Sequence, residues 1–211
     1  VIVTEPQRPL ATAELDALYE LPFTRRAHFT YEEPVPALEP VRFSITVHRG
    51  CYGGCTFCGL GLHQGKVIQS RSVGSILREI ARLSEMPGFK GVITDLGGPT
   101  ANMYGTGCRR LDPKSEARNS KQIQNSNDRN AKQLSNGTAP VCKRTSCLYP
   151  KLCSNLETSH EALLRMLEAV RAAPGVKRAF IASGVRHDLA LLDPRYIDEL
   201  AARHTGGHLS V

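Results

Sequence analysis

Three cysteines stand in "RGCYGGCTFCGLG", residues 49–61, at Cys51, Cys55 and Cys58, with three residues in the first gap and two in the second. A closed structural zinc site takes four protein ligands, commonly as two CxxC pairs, so this loop is one ligand short. At the reference thiol pKa of about 8.5, holding each cysteine as a thiolate at pH 7 costs about 2 kcal/mol, which only a metal or strongly cationic surroundings would offset. A [4Fe–4S] cluster has four corners, so three thiolates leave one iron free to bind a substrate or cofactor. The loop is rich in glycine, which lets a backbone wrap closely around such a body. Buried structural cysteines have no comparable reason to crowd together, and the spacing points to metal ligation.

The seven cysteines are an odd number, they cluster, and no secretory signal accompanies them. A disulfide framework therefore fits poorly, and metal-bound thiolates in a reducing cytoplasm fit better. The remaining four, Cys108, Cys142, Cys147 and Cys153, flank a polar stretch. Four is the number that a closed zinc or iron–sulfur site requires, so a second metal site stands against free thiols as the plain alternative.

The formal charge of +7 would suggest a nucleic-acid partner, but residues 108–153 hold ten Lys or Arg against three Asp or Glu, and the rest of the chain holds 17 of each sign. One segment carries the whole excess, which argues against a folded basic face assembled from several elements. That segment includes "KSEARNSKQIQNSNDRNAKQLSNG", 114–137, whose composition predicts a disordered insertion over about 110–140. An RNA-binding arm is the sharper reading, but no aromatic residues are interleaved to support it. No run approaches 18 apolar residues, so nothing is expected to span a membrane.

Residues 1–40 read as a lead-in linker from an upstream domain, with a short helix in "ELDALYELPF" and extended chain in "YEEPVPALEP". From 41 the pattern is regular. "VRFSITVH" predicts a strand running straight into the cysteine loop. Ser72 is placed to cap a helix with Ile76, Leu77, Ile80 and Leu83 on one face. "GVITDL" predicts a second strand. "TSHE" predicts a capping box of Thr158 and Glu161 opening a helix with Leu163, Leu164, Leu167 and Val170, and "RAFIASG" predicts a third strand. Asp193 and Pro194 predict a further helix start, and "GGHLSV" a fourth strand. Strands alternating with helices imply parallel βα units, as an open sheet or a barrel. At about 31 residues per unit of an eight-unit barrel, the roughly 140 residues outside the insertion supply about four units. The expected fold is therefore α/β, a partial parallel (βα) barrel truncated after about four units.

"CYGGCTFC" matches the CxxxCxxC motif of the radical S-adenosylmethionine (SAM) superfamily, with Phe57 just before the last cysteine. Together with "GVITDLGGPTANMY", "CKRTSCLYP" and "IASGVRHD", the text resembles the YgiQ-like subfamily from about residue 13 to 211, excluding the insertion. The resemblance implies a [4Fe–4S] cluster on Cys51, Cys55 and Cys58 whose fourth iron chelates SAM. It also implies reductive cleavage of SAM to a 5'-deoxyadenosyl radical that abstracts hydrogen from a substrate, and an electron donor such as flavodoxin or ferredoxin. The implied SAM contacts are Phe57, Gly97, Gly98, Pro99, Thr100, Ser183 and Arg186. Superfamily members often carry Gly-Gly-Glu where this chain has Gly97, Gly98 and Pro99, so the Thr100 hydroxyl, backbone carbonyls or Asp95 would receive the methionine ammonium instead. Arg186 is placed to clamp a carboxylate, with surface ion pairing as the alternative. His48 and Arg49 precede the loop and could tune a cluster, although a His at a strand end is ordinarily solvated. Electron transfer with a fully cysteine-ligated cluster, or RNA binding by a metalloprotein, are the competing functions.

Overall fold

The computed structural model describes residues 8–110, 142 and 144–207. In chain order these form α1 (Thr12–Tyr19), α2 (Leu38–Val41), β1 (Ser44–Thr46), β2 (His48–Arg49), α3 (Leu60–His63), β3 (Gln69–Ser70), α4 (Val73–Ser84), β4 (Val92–Ile93) and β5 (Asp95–Gly97). A short 3-10 turn (Ala101–Met103) follows, then β6 (Gly107–Cys108), β7 (Leu156–Glu157), α5 (Glu161–Arg171), β8 (Arg178–Ala179), α6 (His187–Ala190), α7 (Pro194–Glu199) and a π-helical turn (Leu200–His204). The segment 114–137 and the stretch 208–211, where the fourth strand is expected, lie outside the described residues.

The molecule is mixed α/β, built on short parallel pairings. Ile45 of β1 lies opposite Leu96 of β5, and Ile93 of β4 opposite Ala179 of β8, both in parallel register. The extended segment 92–97 sits between the other two, since Leu96 N–H donates to the Phe180 carbonyl at 2.8 Å while Val47 N–H donates to the Gly97 carbonyl at 2.8 Å. The three strands thus run in sequential order. No closed barrel is present among the described residues. Two antiparallel ribbons, β2 with β3 and β6 with β7, lie beyond the carboxyl ends of these strands.

Several expected elements are shorter than the sequence pattern suggests. Val41 closes the helical turn α2, so the first strand begins only at Ser44 and is broken at Val47, whose carbonyl turns aside to accept from Arg71 N–H at 3.0 Å. The second strand breaks at Thr94, whose hydroxyl donates to the Pro40 carbonyl. The third keeps strand geometry only over Arg178–Ala179. The capping box at Thr158 and Glu161 does not form. The residue at the N-cap of α5 is His160, without a side-chain cap, and Ser159 Oγ accepts from Glu161 N–H instead.

Ser72 does cap α4, its hydroxyl accepting from Ser75 N–H at 3.1 Å. The apolar face of α4 (Ile76, Ile80, Leu83) packs with that of α5 (Leu163, Met166, Leu167, Val170) over the strand residues Ile45, Val47, Ile93, Leu96, Ala179 and Ile181. Apart from Ala179, each such side chain contributes about 1.5–3 kcal/mol on burial. Leu164 lies toward the edge of the stripe and is only partly buried, while Met166, unremarked in the leucine pattern, is central.

Residues 8–43 are fastened to this core. Leu15 is buried, Asp16 accepts from the Ser72 amide and hydroxyl, and Glu20 pairs with Arg78 and Arg82. Glu79 on α4 pairs with both Arg25 and Arg71. Arg71 is 1% exposed, and its guanidinium also donates to the Thr46 carbonyl at 2.9 Å and lies 3.9 Å from the Tyr19 ring centroid.

Replacing Glu79 by Ala leaves the Arg71 guanidinium buried without its carboxylate. The expected loss is about 3–5 kcal/mol in denaturant unfolding. The double replacement Arg71→Met with Glu79→Leu is expected to recover a large part of it, because the fully buried charge is then gone, while Arg25 keeps its bonds to the Arg42 and Ser44 carbonyls and some access to solvent.

Candidate metal centre

Three loops leave the carboxyl ends of the three parallel strands and meet. The first carries Cys51, Cys55 and Cys58; the second, after β5, carries Gly98, Pro99, Thr100 and Asn102; the third, after β8, carries Ser183, Gly184 and Arg186. Ala101 N–H donates to the Gly184 carbonyl at 2.9 Å, joining the second loop to the third. The Thr100 hydroxyl lies 3.6 Å from Cys51 Sγ, and Arg186 Nη1 lies 3.5 Å from Cys55 Sγ.

The donor set suits a thiophilic group. All three cysteines are free and partly accessible. A Cβ on Gly53 would lie 3.4 Å from Cys51 Sγ, 3.7 Å from Cys55 Sγ and 3.9 Å from Arg186 Nη1, so glycine keeps open a space that two thiols and a guanidinium border. Gly54 has φ of +66°, and a side chain there would run into the Thr145 carbonyl, so glycine lets the loop curl against the segment after residue 144. Cys58 closes a turn, its N–H donating to the Cys55 carbonyl at 3.2 Å. Among the described residues, no three Cys, His, Asp or Glu side chains converge as a finished metal shell.

Arg186 is held on two sides. Asp188 pairs with its guanidinium, which raises the arginine pKa and lowers the aspartate's; nearby Cys55 and Cys51 add to the upward push on Arg186. Its backbone is clamped by Asn102, whose Oδ1 accepts from Arg186 N–H and whose Nδ2 donates to the Arg186 carbonyl, each at 2.9 Å. Asn102 is fully buried. Nothing in the sequence pattern singles it out beyond a polar residue inside an otherwise apolar "ANMY". The surface ion pair offered as an alternative for Arg186 therefore coexists with its contact to Cys55.

The glycine pair after β5 has a local explanation. A Cβ on Gly97 would collide with the Ser183 hydroxyl and the Asp95 carboxylate, and one on Gly98 would lie 2.5 Å from His48 Cε1. Asp95 is already engaged, accepting from Ala182 N–H at 2.8 Å, from Ser183 N–H at 3.0 Å and from the Ser183 hydroxyl. It ties β5 to the turn after β8 and has little capacity left for an ammonium group. Phe57 projects into solvent, 90% exposed, so it does not pack within the loop.

His48 is not solvated, as its strand-end position suggests, but 0% exposed, with neither ring nitrogen in a well-formed hydrogen bond among the described residues. Burial pushes its pKa down to about 4, offset in small part by the Thr100 backbone. A second buried ring, His160, stacks on Tyr196 at 4.7 Å between centroids, and burial lowers its pKa as well. A cavity of about 1100 Å³ lies apart from the thiols, between α1, Arg25 and residues 62–67, and none of the three loop cysteines lines it.

Fold and site together define a class: an α/β protein of parallel βα units with a thiol-rich centre where the loops after the strands meet. Residues 1–44 match the family model described as radical SAM N-terminal, a match that ends before the cysteine loop begins. Over 211 residues the chain is 46% identical to a UPF0313 protein of Methanosarcina acetivorans, covering 100% of this chain and 25% of that protein. It is 45% identical over 208 residues to one of Bradyrhizobium diazoefficiens, covering 98% and 27%, and 42% identical over 213 residues to the UPF0313 protein YgiQ of Escherichia coli, covering 100% and 25%. The resemblance to YgiQ-like radical SAM proteins thus holds over the whole chain, which spans about a quarter of the length of these curated relatives.

Two outcomes follow from the buried ring and the close approach. The His48 pKa is lower folded (about 4) than unfolded (about 6.5), so between these values the unfolded chain holds the extra proton and stability falls as pH falls. From pH 7 to pH 5 the loss is about 2 kcal/mol in urea unfolding, with His160 adding in the same direction, and His48→Leu flattens the slope. Gly98→Ala is expected to cost about 1–3 kcal/mol by overpacking, relieved when combined with His48→Ala.

Proposed function

We propose that the chain supplies the cluster-binding part of a radical SAM enzyme, with Cys51, Cys55 and Cys58 holding a [4Fe–4S] cluster. The single observation that carries the reading is the meeting of this CxxxCxxC loop with Thr100 and Arg186, contributed by the loops after the next two parallel strands. The sequential order of those strands, β1, then β4 and β5, then β8, is the order of a partial (βα) barrel and supports that architecture for the complete domain. When bound, such a cluster supplies the electron that cleaves SAM to methionine and a 5'-deoxyadenosyl radical.

The residues of this chain do the binding and orienting. The three thiols lose their protons on ligation, and Arg186 sets a positive charge beside Cys55. Held by Asp188 and Asn102, Arg186 presents Nη1 toward the thiols and is placed to meet a carboxylate brought to the same space. Gly98, Pro99 and Thr100 form the adjoining wall, and the Thr100 hydroxyl remains for a polar contact with the cofactor. Phe57, already free of the protein interior, is available to lie against a base. Ser183 is committed to Asp95, so its part is to shape the wall. The cofactor SAM, a flavodoxin-like or ferredoxin-like reductant and a cytoplasmic setting belong to this reading. No helix among the described residues is long and apolar enough to cross a membrane.

The protein carrying this chain, reconstituted without oxygen and reduced, is expected to form 5'-deoxyadenosine from SAM. Cys51→Ala is expected to abolish the product and the cluster's paramagnetic resonance. A cluster signal that fails to shift on adding SAM would favour electron transfer instead, and a full cluster with no 5'-deoxyadenosine would remove the enzyme reading.

A further inference from the structure

Four cysteines take no part in the loop, yet the fold draws them together from distant points in the sequence. Cys108 in β6 lies opposite Leu156 of β7. Leu156 N–H donates to the Cys153 carbonyl at 2.9 Å, and Cys153 N–H donates to the Cys147 carbonyl at 2.8 Å. Three successive backbone links therefore connect Cys108, Cys153 and Cys147. Cys147 and Cys153 pack against Tyr52, Met103, Leu156 and Leu189, while Cys142 is exposed. Cys153, Cys142 and Cys108 each lie near enough for their charge to be felt at Cys147, and among the described residues no three of the four yet converge as a finished shell. A buried free cysteine serves as a small hydrophobe, but that role gives no reason to assemble four, one of them exposed.

The same segment is fixed to the back of the cysteine loop. The Ser146 hydroxyl donates to the Gly53 carbonyl at 2.5 Å, Cys147 N–H donates to the Tyr52 carbonyl at 3.1 Å, and Lys66 Nζ donates to the Arg144 carbonyl. Ser146 Oγ also accepts from Leu148 N–H and Tyr149 N–H, each at 3.1 Å, which fixes the turn that carries Cys147.

We propose that Cys108, Cys142, Cys147 and Cys153 form a second, closed metal site of four thiolates, holding zinc or an iron–sulfur cluster, and that it pins residues 144–153 against the cysteine loop. Four ligands leave no open position, so the site is structural. Binding releases a proton from each thiol, and the positive charge of the metal offsets the mutual repulsion of the four thiolates so gathered. Because Gly53 and Tyr52 lend their carbonyls to this segment, the second site sets the shape of the backbone between Cys51 and Cys55.

The test starts from the protein carrying this chain with Cys51, Cys55 and Cys58 all replaced by Ala, purified without oxygen and assayed for bound metal. Retention of a single zinc per chain, or of one cluster's worth of iron with sulfide and brown absorbance, is expected. Adding Cys147→Ser and Cys153→Ser should reduce that metal at least tenfold. Metal lost completely with the first three cysteines, or kept after the second pair is replaced, would overturn the proposal. Should the variants fail to fold, alkylation of the unaltered protein followed by mass spectrometry decides. All four thiols should be protected until a chelator or denaturant is added; rapid modification of these thiols, or their recovery as disulfides, overturns the site.

Discussion

The guanidinium of Arg71 is the constraint on which the placement of the cysteine loop depends. It is buried, and its donors are distributed among the Thr46 carbonyl at the end of β1, the Ser75 hydroxyl and the Glu79 carboxylate on α4, while the Tyr19 ring covers its face from α1. The Arg71 carbonyl accepts from the Tyr104 hydroxyl at 2.7 Å, which brings in the loop after β5. A charge so enclosed tolerates only a narrow range of geometries, since every unmade hydrogen bond would leave a desolvated donor. It therefore fixes where β1 ends and in which direction the chain leaves toward Cys51. Hydrophobic packing of α4 and α5 over the strands supplies most of the stability, but packing alone would permit small slips that this polar knot does not.

A second constraint acts at the next layer. His48 precedes the loop and Gly98 follows β5, and the histidine ring occupies the space that a Gly98 side chain would need. Ser183 and Asp95 fill the corresponding space over Gly97. The glycine pair is thus required by contacts among the protein's own loops, before any cofactor is considered. The two requirements are compatible: removing side chains lets the three loops approach, and loops that approach bring Thr100 and Arg186 to the thiols. A buried, unpaired histidine is the cost of that approach, met by keeping the ring neutral.

Much of this architecture is legible in the residues. The apolar stripe of α4 and its Ser72 cap, the stripe of α5, and Asp193 with Pro194 at the start of α7 all follow from local rules that the folded chain obeys. The cysteine motif is legible because its spacing has few other uses. What local pattern cannot reveal are features created by distant partners. Val47 looks like strand interior, but its carbonyl is taken by Arg71; Thr158 looks like a cap, but His160 occupies the cap, and its ring stacks on Tyr196. His48, Arg71 and Asn102 are polar residues whose burial depends on elements far away in sequence, so composition assigns them to the surface. Asn102 is the clearest case. Its two hydrogen bonds to the Arg186 backbone span 84 residues, and no window of sequence contains both ends.

These long-range polar links share a direction. Asn102 fixes the backbone of Arg186, which reaches Cys55; Ala101 is bonded to Gly184; Ser146 and Cys147 hold the carbonyls of Gly53 and Tyr52. Ser146 and Cys147 bond directly to the short backbone between Cys51 and Cys55, while Asn102 and Ala101 tie the loops after β5 and β8 to each other beside it. Glycine-rich loops lose more conformational entropy on ordering than any others, and this one contains no helix or strand between those two cysteines to offset the loss. Its order has to come from outside, through hydrogen bonds to neighbours that are themselves anchored. The clustering of buried polar residues around the thiols follows from that need: a stretch with no helix or strand of its own is held by hydrogen bonds from anchored neighbours.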